Sequence, residues 1–138
     1  FQSLDGIEYT LPADAIVIKD VGRIIDLPPI KGGQNSAVEN STKNILLHSI
    51  VCDPVLTRRT SQALFLRSDS SAISERGVDP NGTVPAVELA LKLILELASG
   101  EVASEIMDHK EVDFNPWTIK LSHQSWELKF LQPKSKIS

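Results

Sequence analysis

Cysteine is nearly missing from this sequence. The 138-residue chain carries one, Cys52, so no disulfide can form within it. That fits a reducing compartment, and an intracellular location, cytoplasmic or nuclear, is the expectation. A strong excess of one charge is also missing. Fourteen Lys and Arg face 18 Asp and Glu, for a net charge of −4. A protein that binds by neutralising many phosphates is therefore disfavoured, and nucleic acid is not an expected partner, although a local basic patch is compatible. No apolar run is long enough for a membrane span. The longest, Val84 to Ala98, is interrupted by Glu88, Lys92 and Glu96. Phosphate-binding and hydrolase motifs are absent too. Gly32-Gly33 leads into polar residues rather than a helix, and neither G-x-G-x-x-G, a P-loop, G-x-S-x-G nor H-E-x-x-H occurs. No cofactor and no metal are expected. There is no internal repeat and no heptad run.

What is present centres on VPAVELALKLILELA, residues 84–98. The three charged residues recur every four positions, so on a helix they form one narrow stripe and the rest of the circumference is apolar. Such a helix is expected to be buried over most of its surface. Thr83 is placed to cap it, Pro85 fits its first turn, and Gly100 stands where a left-handed C-cap belongs. Glu88 precedes Lys92 by four residues, the favourable order for an exposed pair. The helix would span roughly 22 Å at 1.5 Å per residue.

Around it the sequence predicts strands. Ile7, Tyr9 and Leu11 alternate with polar residues. Ala15–Lys19 and Arg23–Leu27 flank Asp20-Val21-Gly22 and suggest a hairpin ended by Pro28-Pro29. Residues 31–43 read as a polar loop. Asn44–Cys52 reads as a strand ended by Asp53-Pro54, and Ser61–Arg67 as another. Residues 68–82 read as a second long loop. A short helix is expected over 101–111. The chain closes on Trp117, Ile119, Leu121 and then Trp126, Leu128, Phe130, each set alternating with polar residues as in a hairpin with one buried face. The fold class expected is therefore α+β: a mostly antiparallel sheet of about six to seven short strands, packed on one long buried helix with a second short helix. Phe1-Gln2-Ser3 resembles a cloning remnant and is set aside. Residues 4–133 then form one domain and 134–138 a polar tail.

Three groups could carry chemistry. His48 and Cys52 with Asp53 would make a thiolate nucleophile on a helix. On a strand they lie about 13 Å apart, and Cys52 reads as a buried structural residue. Asp108, His109, Glu111 and Asp113 form an acidic cluster. Residues 101–113 hold five carboxylates against Lys110, a net of −4 equal to that of the whole chain. Calcium loops need a glycine that this cluster lacks, so a solvated turn is the plainer reading. Arg58, Arg59 and Arg67 form a possible basic patch, without interleaved aromatics for base stacking.

These readings favour a non-enzymatic protein–protein interaction or assembly domain, possibly a fragment of a larger protein. It would bind a partner or itself through the helix stripe of Glu88, Lys92 and Glu96 or through Trp117 and Trp126. The alternatives are a small hydrolase using Cys52 and histidine, or a weak phosphate or nucleic-acid binder using Arg58, Arg59 and Arg67.

Overall fold

A computed structural model describes residues 1–110, 115 and 118–120 of the chain. Three short strands form one antiparallel sheet in the order β1 (Ile18–Asp20), β2 (Arg23–Leu27), β3 (Lys31–Gly32). The β1–β2 turn uses Val21 at φ 35° and Gly22 at φ 111°, the left-handed region that a tight hairpin requires. A 3-10 turn, Gln34–Ser36, packs back on β2. Three helices follow: α1 (Pro54–Ala63), α2 (Asp69–Ser74) and α3 (Thr83–Ala98).

The sheet is tied down by its neighbours in sequence. Leu4 N–H donates to Gly32 O at 3.0 Å, and Gln34 N–H to Gln2 O at 3.0 Å. Ser3 is fully buried and bridges Gly33. Phe1 to Ser3, set aside in reading the sequence, thus take part in this fold. Gly33 cannot carry a side chain, because a Cβ there would lie 2.4 Å from the Ile25 carbonyl oxygen. The second glycine of Gly32-Gly33 therefore serves close backbone approach, and the polar stretch after Pro29 begins with a strand instead of a loop. Among the described residues, Leu27 and Ile30 are the buried apolar ones.

The α1–α2 pair is held differently. The buried side chains of α1 are Thr57, Thr60 and Ser61, and that of α2 is Ser71. Their spacing puts the α1 residues on one helical face. Thr57 Oγ1 donates to Asp53 O at 2.8 Å and Ser61 Oγ to Leu66 O at 2.7 Å. Ser68 and Ser71 cap α2 reciprocally. Small hydroxyl residues allow the helices a close approach while most of the hydroxyls keep a partner.

The expected architecture is corrected on several points. The structure has α and β elements, but among the described residues three short strands stand where a sheet of six or seven was expected. Asn44–Cys52 forms no strand. Ser61–Arg67 is the end of α1 and the turn after it, closed by Phe65 at φ 52°. The stretch 68–82 contains α2 and a 3-10 turn, Pro80–Gly82. Residues 101–110 form no helix. Most consequentially, the sheet does not pack on α3. Of the regular elements among the described residues, α3 has extended contact only with the 3-10 turn that leads into it, and none of its residues is buried. Val84, Val87, Leu91 and Ile94 make a half-buried stripe, while Leu97 is 82% exposed and Leu89 60%. Its caps differ from expectation as well. Gly82 is the N-cap, Thr83 donates to Pro80 O at 2.9 Å, and Ser99 rather than Gly100 takes the left-handed C-cap. The expected tryptophan hairpin lies outside the described residues, apart from 118–120. Among the described residues no helix is long and apolar enough to cross a membrane.

Candidate functional site

Two side-chain groups merit a chemical reading. The first gathers at β2. His48 Nε2 lies 3.8 Å from Asp26 Oδ2, within ion-pair range when the imidazole is protonated. Cys52 Sγ faces Pro28 O at 3.8 Å. Burial pushes the Asp26 carboxyl above its ordinary value, against the pull of His48. Burial also pushes the Cys52 thiol up, and the Asp26 charge adds to that. A thiol shifted in this direction is protonated at neutral pH and a poor nucleophile. Asp53 is committed elsewhere. Its Oδ1 accepts from Val55 N–H and Leu56 N–H, both at 2.8 Å, as the N-cap of α1. The Cys–His–Asp53 nucleophile considered from sequence is not assembled.

The second group is an open groove of about 400 Å³ between α1 and the end of α2. Pro54, Val55, Arg58, Arg59 and Gln62 line it from α1, and Glu75 and Arg76 from the turn that closes α2. On α1 the lining residues sit on the side of the helix away from Thr57, Thr60 and Ser61, so packing one face of α1 presents the other. Arg76 is placed by three consecutive backbone bonds: Glu75 N–H to Ser71 O at 2.9 Å, Arg76 N–H to Ile73 O at 3.1 Å and Gly77 N–H to Ser74 O at 3.0 Å. The one carboxylate in the lining is neutralised. Arg67 Nη2 lies 2.8 Å from Glu75 Oε1, and the Glu75 side chain is 14% exposed. Among the described residues, Arg58, Arg59 and Arg76 have no such carboxylate partner.

Of the residues singled out in the sequence, Arg58 and Arg59 share this groove. Arg67 is spent on Glu75. Arg76 was missed: it lies in a stretch read as loop, although the Ser68 cap of α2 was a signal available in the sequence. Glu88, Lys92 and Glu96 are exposed on α3. Lys92 Nζ approaches Glu96 Oε1 at 3.9 Å instead of pairing with Glu88. Trp117, Trp126, Glu111 and Asp113 lie outside the described residues. Asp108 pairs with Lys110 at 3.1 Å, and among the described residues no group of His, Cys, Asp and Glu is arranged to hold a metal.

Comparison with known proteins places this geometry in a family. The sequence model described as the B3/4 domain matches residues 1–99. The chain belongs to the B3/4 domain family. Relatives of this B3/4 domain carry the name phenylalanine–tRNA ligase beta subunit. The protein of Protochlamydia amoebophila is 38% identical over 120 residues, covering 87% of this chain and 15% of the relative. That of Mesorhizobium japonicum is 41% identical over 101 residues, 73% of this chain and 13% of the relative. That of Geobacter sulfurreducens is 42% identical over 108 residues, 78% of this chain and 14% of the relative. The chain thus spans between 13% and 15% of the length of these relatives. The family match overturns the reading of a generic interaction or assembly module. The expectation against nucleic acid, drawn from net charge, does not extend to these relatives, which are named for a ligase acting on tRNA.

Proposed function

We propose that this B3/4 domain is a segment of the beta subunit of a phenylalanine–tRNA ligase and works within that enzyme, with a companion subunit and tRNA as its partners. The observation that carries the reading is 38% identity over 87% of the chain to a subunit so named. Two physical features support it. The apolar residues left exposed on α3 suit a segment that packs within a longer polypeptide. A cluster of arginines without a carboxylate partner among the described residues, in a chain of net charge −4, suits local contact with a polyanion. A ligase acting on tRNA works inside the cell, which agrees with the cysteine usage.

A chimera tests this reading. Residues 1–99 replace the matching span of the Protochlamydia amoebophila subunit, which is co-expressed with its companion subunit. The expected result is an assembled enzyme that still charges tRNA with phenylalanine. A chimera that assembles but charges at background level would count against the assignment, and so would one whose subunits no longer associate.

A further inference from the structure

The groove between α1 and α2 has a charge arrangement that its local fold does not need. Thr57, Thr60 and Ser61 form the buried face of α1, while Arg58 and Arg59, on the other side of the helix, line the groove. Arg76 comes from a different segment and is delivered to the same groove by the turn after Ser74. Glu75 could cancel one of these charges, but Arg67 holds it at 2.8 Å. Counting Arg58, Arg59, Arg76 and Arg67 against Glu75 gives a local charge of 4 − 1 = +3, within a chain of net charge −4. Guanidinium groups without carboxylate partners, converging from two segments, match the spaced phosphates of a polynucleotide backbone. Nothing in the lining suits base stacking, since it contains no aromatic residue. Contact would therefore be to phosphate, independent of sequence.

We infer that the groove lined by Arg58, Arg59 and Arg76 holds the phosphate backbone of tRNA. Arg67 is a positioning residue here. It keeps the Glu75 carboxylate from repelling the ligand. The inference deepens the proposed function and rests on it.

The test uses the full-length subunit assembled with its companion, an unmodified transcript of the phenylalanine tRNA, and binding measured across a salt series. Replacing all three arginines by alanine is expected to weaken binding at least tenfold and to flatten the dependence of log K on log salt by about 1 per lost contact, hence about 3. Replacing all three by lysine keeps the charge and is expected to keep most of the salt slope. Arg23→Ala, on the hairpin turn beside Asp20, is expected to change neither quantity. If wild-type enzyme binds the transcript and the alanine variant matches it in affinity and slope, the groove inference falls alone. A lysine variant that loses as much as the alanine variant would also overturn it, because charge would not be what binds. If the wild-type enzyme does not bind the transcript at all, the proposed function falls and takes the groove with it.

Discussion

Helices α1 and α3 invert the usual relation between composition and burial. α1, PVLTRRTSQA, has no apolar stripe, yet it buries Thr57, Thr60 and Ser61. α3, TVPAVELALKLILELA, is mostly apolar, yet buries no residue. The difference teaches that hydrophobic content fixes what a helix can gain from burial, while the neighbouring elements decide whether burial happens. α1 has a close neighbour in α2, and its buried side chains are small ones whose hydroxyls mostly find acceptors. Among the described regular elements, α3 has extended contact only with the turn that leads into it. Its apolar surface is consistent with the proposed place of this B3/4 domain inside a much longer subunit.

The largest expected effect tests the packed pair against the exposed helix. Ser71 is fully buried, and its Oγ accepts from Ser68 N–H, one half of the reciprocal α2 cap, and donates to Ser68 O. Ser71→Leu would overpack a fully buried position and remove the Ser71 half of the cap, at a cost of about 3 kcal/mol in urea unfolding. Leu97→Ser changes a side chain that is 82% exposed and should stay within about 0.5 kcal/mol of wild type. Comparable losses at the two sites would break the contrast between the helices.

This contrast also explains what was legible in the sequence. The β1–β2 hairpin showed itself through β-branched runs around Asp20-Val21-Gly22, and α3 through apolar periodicity together with Pro85. The helix forms within a residue of its expected bounds, but its burial was inferred from composition and did not follow. α1 was invisible for the opposite reason. Its buried stripe is Thr57, Thr60 and Ser61, which a hydrophobic pattern scores as polar. Asp53-Pro54 reads as the stop of a strand, yet the same pair is a strong helix start, an acceptor side chain followed by proline at the first position. Missing α1 and α2 meant missing the groove between them. Arg58 and Arg59 could be named as neighbours in sequence, but Arg76 joins them only through the fold.

A middle-sized effect sharpens the comparison at the helix starts. Asp53 satisfies two backbone donors of α1, whereas the N-cap of α3 is Gly82 with no side-chain bond. Asp53→Ala should cost about 1 kcal/mol in urea unfolding, and Thr83→Ala at the start of α3 should cost less. Within α1 the buried threonines should separate as well. Thr57 Oγ1 has an acceptor, while Thr60 Oγ1 is buried without a partner. Thr57→Val is expected to destabilise by about 1 kcal/mol, and Thr60→Val to be neutral or to stabilise by up to about 1 kcal/mol. Equal losses from the two valine variants would mean that the hydroxyls are not what distinguishes the sites.

The smallest effects lie in the sheet region, where two carboxylates carry opposite signs. Asp5 accepts from Ser3 Oγ and pairs with Lys31 Nζ at 3.0 Å, and these contacts lower its pKa to about 2. A lowered native pKa gives stability that is present above the unfolded value near 4 and is lost as pH falls towards 2. Asp26 is shifted upward by burial, so its contribution runs the other way: it is present in acid and lost as pH rises through the raised native value. Thermal unfolding of Asp5→Asn and Asp26→Asn at pH 7 and pH 2 separates the two. At pH 7 Asp5→Asn should lower Tm and Asp26→Asn should raise it. Towards pH 2 both differences should shrink, because the wild-type carboxyls then lose their charge. A lowered Tm for both variants at pH 7 would show that burial at Asp26 is outweighed by its contact with His48, and the opposition between the two sites would fall.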